Sequence, residues 1–388
     1  MVRLTSTFLF LACIVSAAVS TPVATSDFHT VPLVKKVSGK TKSTKALIAR
    51  DLRRFNIDAA AAVGSEAATN EDDTYVLATQ VGTQTFELIV DTGSSNTWVG
   101  SGTKYSPGST ATNTGKTFSV SYGSGTVSGT EFTDNVVVGG LTITKQSIGD
   151  GTRSSGFEGV DGIIGFGPVD LTEDTVSGST TVPTVMNNLL SQGTISTQVL
   201  GVSFAPESGA DEDDSNGELT LGGTDTSKFT GTMTFVAHTT ASLYTDYWGI
   251  TVSGITFNGA SLSGSASAIV DTGTTLIYIP TAAYNSFLSA SGGKTDSETG
   301  LASWTTLPTG NFAFTISGVS FTLTPSQFTI PTAQYADWGL TSGKFYGWIQ
   351  PGGTVAADLN FIIGQKFLEN YYSVFDTTNN RVGFATRA

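Results

Sequence analysis

Two segments of this 388-residue chain carry a run of apolar residues into the same triplet. Glu87-Leu88-Ile89-Val90 leads into Asp91-Thr92-Gly93, and Ser267-Ala268-Ile269-Val270 leads into Asp271-Thr272-Gly273. Hydroxyl residues follow both, Ser94 and Ser95 in the first case, Thr274 and Thr275 in the second. A single Asp-Thr-Gly would arise by accident in roughly one chain in ten of this length, but two with matched flanks read as copies of one unit. Each copy describes a buried strand that delivers a carboxylate into a tight turn, where glycine tolerates positive φ and lets another segment approach closely. The plainer alternative, a pair of Asx turns closing two strands, leaves the matched flanks unexplained.

The length suits two domains or one large one. With 45 glycines and only 13% charged residues, the chain favours many short strands and turns over helices. Residues 1–20 place Arg3 before the apolar stretch Phe8-Leu9-Phe10-Leu11-Ala12-Cys13-Ile14-Val15 and the small residues Ser16-Ala17-Ala18. This is the pattern of a secretory signal peptide, too short for a membrane span. The last residues show no hydrophobic tail for a lipid anchor, so the expected product is exported, extracellular and without a membrane anchor.

The one cysteine, Cys13, falls inside that signal, so the expected mature chain has no thiol and no disulfide. Only His29 and His238 could supply imidazole. No Gly-x-Ser-x-Gly elbow accompanies them, and zinc or cysteine-nucleophile chemistry lacks its ligands or its nucleophile. Carboxylates are therefore the best acid and base groups available, and no metal or cofactor is expected.

Charge is distributed unevenly. Residues 21–58 hold eight basic and three acidic side chains, whereas residues 59–388 hold ten basic and twenty-nine acidic ones. A basic leader thus precedes a strongly acidic body, and with export expected a nucleic-acid partner is disfavoured. The better account is a pro-segment whose cations neutralise the body near neutral pH and let go when carboxylates protonate. Leu47, Ile48 and Leu52, interleaved with Lys and Arg between Ser43 and Phe55, suggest a short helix across the body. Ala59–Val63 is a plausible processing stretch.

Taken together these residues resemble the pepsin-like aspartic endopeptidases, in particular the cysteine-free secreted fungal kind. The resemblance runs from about Thr74 to Ala385. Besides both Asp-Thr-Gly motifs it includes Tyr122-Gly123-Ser124-Gly125, Asp161-Gly162-Ile163-Ile164-Gly165-Phe166-Gly167, Phe361-Ile362-Ile363-Gly364 and Tyr371-Tyr372-Ser373-Val374-Phe375-Asp376. The leader run Val31-Pro32-Leu33-Val34-Lys35-Lys36 is similar to the start of pepsinogen-type pro-segments. The resemblance implies a mostly β, bilobal acid-protease fold with a central substrate cleft, one catalytic Asp from each lobe, and a monomer. The expected divisions are a signal at 1–20, a pro-segment at 21–60, an N-terminal lobe at 61–245 and a C-terminal lobe at 246–388.

The same resemblance assigns roles. Asp91 and Asp271 are the catalytic pair, sharing one proton because two adjacent carboxylates do not ionise together. Family pattern makes Asp271 the base and Asp91 the acid, although the proton belongs to the pair. Thr92 and Thr272 are expected to bond across the lobe interface, and Ser94 and Thr274 to reach the outer carboxylate oxygens. Gly93, Gly273, Tyr122, Gly123 and Ser124 are expected at the substrate, with Tyr122 on a flap and bonded to Trp98. Ile89, Val160 and Ile163 are candidates for an apolar pocket, and the lack of an acidic residue at Ser124 favours large apolar substrate side chains over Lys or Arg. Implied partners are polypeptide substrates, the chain's own pro-segment as inhibitor, and pepstatin-like inhibitors.

One departure is Gln365, where many members of this family have Asp after the last Gly. An amide still hydrogen-bonds, so the expectation is a tuned pH response. The acidic run Asp211-Glu212-Asp213-Asp214 lacks calcium-loop spacing and is expected to be a solvated loop. There is no Asn-x-Ser/Thr acceptor, while O-linked sugars remain open. Two other classes compete: a catalytically silent binding homologue on the same scaffold, and a β-rich carbohydrate binder. Neither explains the basic leader, and the first needs none of Asp91, Asp271 and Tyr122 together.

Overall fold

The computed structural model describes residues 28–37, 42–54, 73–122, 125–207, 214–353 and 359–388. The expected signal, the Ala59–Val63 stretch, Gly123, Ser124 and Asp211–Asp213 lie outside the described residues. Strands dominate, in keeping with the glycine- and hydroxyl-rich sequence. The first half contributes β1 (His29–Val37), α1 (Thr44–Arg54), β2 (Asp73–Val81), β3 (Gln84–Asp91), β4 (Thr97–Val99), β5 (Thr112–Ser121), β6 (Thr126–Val138), β7 (Leu141–Ser155), β8 (Gly162–Gly165), β9 (Val199–Ser203) and β10 (Asp214–Leu221).

The two halves repeat one strand arrangement. In the first, β3 pairs in parallel with β8, β8 runs antiparallel to β4, and β4 is parallel to β7. In the second, Ala266–Val270 is parallel to Ile362–Ile363, which runs antiparallel to Ile277–Ile279, itself parallel to Ile349–Pro351. The apolar-apolar-Gly elements are the central strands of both. Their glycines are required by close approach: a Cβ on Gly165 would come within 2.5 Å of the Ser95 backbone, and one on Gly364 within 2.1 Å of the Leu276 carbonyl oxygen. Strand β3 shows why the carboxylate ends where it does, since Phe86, Leu88 and Val90 are buried on its core side and alternation fixes the register.

A thirteen-strand sheet joins the halves, in the order Phe229–Ala237, Arg381–Arg387, Tyr371–Asp376, β9, β10, β1, β2, β3, β8, β4, β7, β6, β5. The leader strand β1 lies inside it, antiparallel to both β10 and β2. Ser43 precedes helix α1, and its Oγ accepts from the Ala46 amide at 3.2 Å, a capping contact. Its Leu47, Ile48 and Leu52 are buried among Leu276, Tyr278, Leu301, Tyr335 and Trp338. The helical pattern expected from Ser43 onward is present, and α1 is tied to the second half. Among the described residues no helix is long and apolar enough to cross a membrane.

The hairpin of β5 and β6 projects Tyr122, and β6 carries a buried Glu131 that accepts a hydrogen bond from the Ser147 hydroxyl of β7. Burial, only partly opposed by Ser147 and by the charge of Lys116, pushes the Glu131 carboxyl up to about 7. A carboxyl whose folded pKa is raised stabilises the fold in its protonated form below the unfolded value. That contribution fades as pH rises from about 4.5 through the folded value of about 7. Glu131→Gln is therefore expected to flatten the fall in thermal stability between acid and neutral pH, measured as Tm against pH. An unchanged profile would overturn the assignment.

Candidate active site

Both Asp-Thr-Gly loops leave their strands as tight turns whose backbone amides point back at the carboxylate. Asp91 Oδ1 accepts from the Gly93 amide at 2.9 Å, and its Oδ2 accepts from the Ser94 hydroxyl. Asp271 Oδ1 accepts from the Gly273 amide at 2.9 Å, and its Oδ2 from the Thr274 hydroxyl at 2.5 Å. The two sites are chemically equivalent, and both aspartates have 0% exposure. Hydrogen bonds of this kind favour the charged form of a carboxylate, while burial opposes it.

The loops face each other. The Thr92 hydroxyl donates to the Val270 carbonyl at 3.2 Å and accepts from the Thr272 amide at 3.0 Å. Reciprocally, the Thr272 hydroxyl donates to the Val90 carbonyl at 2.9 Å and accepts from the Thr92 amide at 2.9 Å. Gly93 must be glycine here, because a Cβ would sit 2.5 Å from Asp271 Oδ1. The carboxylate of the second loop therefore lies directly against the first loop.

Above β4 and β8, the Trp98 indole N–H donates to the Tyr122 hydroxyl at 3.0 Å. Tyr122 also closes the hairpin tip, its amide donating to Gly125 at 2.7 Å and its carbonyl accepting from Gly125 at 3.2 Å. Val160 and Ile163 are buried in one apolar cluster with Trp98, Phe118 and Phe157, against which Ile89 and Tyr122 pack. Phe157 makes edge contacts to both Trp98 and Tyr122, with centroids 4.9 and 5.3 Å away. Nothing in the sequence around Gly156-Phe157-Glu158 signals this, because the contact depends on tertiary packing.

Gln365 is buried and donates from Nε2 to the Thr272 carbonyl at 2.8 Å, while its own amide donates to the Thr274 carbonyl at 2.8 Å. It therefore braces the backbone of the second loop. Beside that loop, Arg50 of α1 donates to the Thr275 hydroxyl at 2.8 Å. The buried Asp51 accepts from the Leu276 amide and the Tyr278 hydroxyl, each at 3.3 Å. Burial, and next the charge of Asp51, hold the Tyr278 phenol well above its usual range. These leader contacts were not foreseen. His238 Nε2 lies 2.5 Å from the Tyr247 carbonyl, a backbone contact.

A duplicated β architecture that brings two Asp-Thr-Gly loops face to face, each aspartate held by its own loop, defines an aspartic protease. Residues 74–387 match the family described as eukaryotic aspartyl protease, and the chain belongs to that family as an aspartic-type endopeptidase acting on peptides. Among its relatives, polyporopepsin of Irpex lacteus is 46% identical over 333 residues, spanning 84% of this chain and 97% of that protein. Pepsin A of Sus scrofa is 34% identical over 389 residues, 92% of this chain and 94% of that protein. The crystal structure of the aspartic proteinase from Irpex lacteus superposes with a TM-score of 0.79 at 40% identity, covering 93% of this chain and 98% of that one.

Gln365→Asp replaces a neutral brace with a titratable group beside the second loop. A nearby negative charge raises carboxyl pKa values by about one unit, so the pH–kcat profile is expected to move upward by about that amount. The profile should be measured alongside Tm; a fall in Tm with an unmoved profile would make Gln365 merely structural.

Proposed function

We propose that this chain is a secreted acid endopeptidase made as a zymogen, with Asp91 and Asp271 as its shared-proton catalytic pair. The observation that carries this reading is the reciprocal Thr92–Thr272 crossing, with Gly93 held against the Asp271 carboxylate. Two carboxylates in that arrangement retain one proton between them. The ionised member takes a proton from a bound water as the water attacks the scissile carbonyl, and the protonated member donates to the developing oxyanion. Gly93 and Gly273 keep the approach open, and Ser94 and Thr274 support the charge on the outer oxygens. Tyr122 covers the substrate with Gly123 and Ser124, and an extended peptide binds through its main chain with alternating side chains entering pockets. Ile89, Val160 and Ile163 favour large apolar side chains at the cut.

In this reading residues 1–20 direct export, residues 21–60 inhibit, and the lobes span 61–245 and 246–388 in a monomer. Support for the inhibitory leader comes from its contacts. Lys35, buried in β1, pairs with Glu369 and Glu207, Lys36 pairs with Glu87, and α1 packs beside Thr275 and Leu276. Protonation of the body's carboxylates removes these partners, so release belongs to acid pH.

The test is incubation of the purified full chain from pH 2 to 7 with a denatured protein, with and without a pepstatin-like mimic. Self-shortening by about forty residues beyond the signal, then acid proteolysis blocked by the mimic, is expected. Asp91→Ala and Asp271→Ala should each lower kcat by about 10²–10⁴-fold or more, and full activity in either would refute the mechanism. Cleavage of a peptide library chiefly after Lys would refute the apolar preference.

A further inference from the structure

Trp248 stands one residue before the strand Gly249–Val252, which pairs antiparallel with Ala266–Val270 just ahead of Asp271. Its backbone belongs to the second loop's supports, since the Val270 amide donates to the Trp248 carbonyl at 3.0 Å. Its side chain runs the other way. The residue is 4% exposed and shares one apolar cluster with Phe166, Val270 and Phe375, and its ring meets Phe375 edge-on with centroids 5.4 Å apart. Held so, the indole N–H donates to the Phe166 carbonyl at 3.0 Å, 82 positions away in the sequence.

Phe166 directly follows β8, and the backbone around it grips the first loop. The Gly165 amide donates to the Asn96 carbonyl at 3.1 Å, that of Phe166 to the Asp91 carbonyl at 2.7 Å, and that of Gly167 to the Ser94 carbonyl at 2.8 Å. With the Thr92 hydroxyl on the Val270 carbonyl at 3.2 Å, these contacts close a circuit. It runs from Asp91 to Phe166, on to the Trp248 indole, through the Trp248 backbone to Val270, and back by Thr92 to Asp91. Val270 is thus tied to the first loop twice, directly through its carbonyl and by way of Trp248 through its amide. The links that use a side chain are the Thr92 hydroxyl and the indole. An indole is a donor only, and a buried acceptor deprived of its donor is costly. Without the indole proton, the backbone around Phe166 shifts toward another donor and carries Asp91 and Ser94 with it.

We propose that Trp248 is a positioning residue for peptide hydrolysis, its indole N–H fixing the spacing of the Asp91 and Asp271 carboxylates by closing this circuit between the two loops. The inference rests on the reading of those aspartates as the catalytic pair. The proton they share depends on their separation, because the repulsion that keeps one carboxyl protonated weakens as they move apart. An opened circuit therefore brings the two limbs of the bell-shaped pH–kcat profile toward each other.

The test removes the donor and keeps an aromatic ring. Full chains carrying Trp248→Phe, or Trp248→benzothienylalanine with sulfur in place of the indole N–H, are acid-treated beside the wild type. Each is assayed on one peptide substrate across the acid range, with Tm measured at every pH. The expected result is a kcat lower on the order of ten-fold, KM within about two-fold, and a bell narrowed on both limbs while Tm stays above the assay temperature. An unmoved kcat, an unmoved width, or a loss confined to KM overturns the proposal. The sulfur isostere fills the indole volume and decides the matter if the Phe variant does not fold. A readout without any variant is hydrogen exchange at the wild-type Trp248 indole: a pepstatin-like mimic held by both loops slows it, and unchanged exchange also overturns the role. Asp91→Ala in the same assay tests the pair by itself, since retained activity there overturns the catalytic reading whatever the tryptophan variants do.

Discussion

The structure depends on four buried hydrogen bonds that Thr92 and Thr272 make across the two loops, two to each other and two to the Val90 and Val270 carbonyls. Each threonine gives its hydroxyl proton to a carbonyl of the opposite strand and accepts the amide of its opposite number. One such bond is worth about 1 kcal/mol net, but their reciprocity fixes position more than it adds stability. A shift of either loop disturbs all four together. The Asp271 carboxylate is thereby held where the lack of a side chain at Gly93 leaves room for it, and everything else at the site, from Ser94 and Thr274 to Gln365, secures loops whose spacing is already set.

How much of this was legible in the sequence depends on range. The strand-to-turn unit was legible because its signals are local: apolar residues with period two, then Asp, then Gly. Its duplication was legible for the same reason, and it reappears as the repeated parallel and antiparallel pairings around Ile163-Ile164-Gly165 and Ile362-Ile363-Gly364. The bond between Trp98 and Tyr122 was reached through family likeness, since no periodicity links an indole to a phenol on another strand. Phe157, and the contacts of Asp51 with Leu276 and Tyr278, were out of reach. They join residues more than two hundred positions apart in the second case, where only packing decides the neighbours.

The leader shows the same limit from another side. Its charge was plain in the composition, and a short helix was foreseen from Leu47, Ile48 and Leu52. Charge alone describes a solvated, loosely held segment. Instead Lys35 is buried, β1 carries backbone pairing on both of its edges, and α1 sets an aspartate against a tyrosine hydroxyl. Apolar burial, backbone pairing and ion pairs hold the segment together.

The order of the thirteen-strand sheet has a kinetic consequence. Its strands come from both ends of the chain: β1 begins at His29, and Arg381–Arg387 closes against Phe229–Ala237. Contacts so distant in sequence are slow to form, because loop-closure entropy precedes the gain. The sheet that unites the two halves therefore stays incomplete until the last strand has been synthesised. A chain that lacks Tyr371–Asp376 leaves the edge of its partner, β9, unpaired, so the sheet is completed only once residues 371–387 are present.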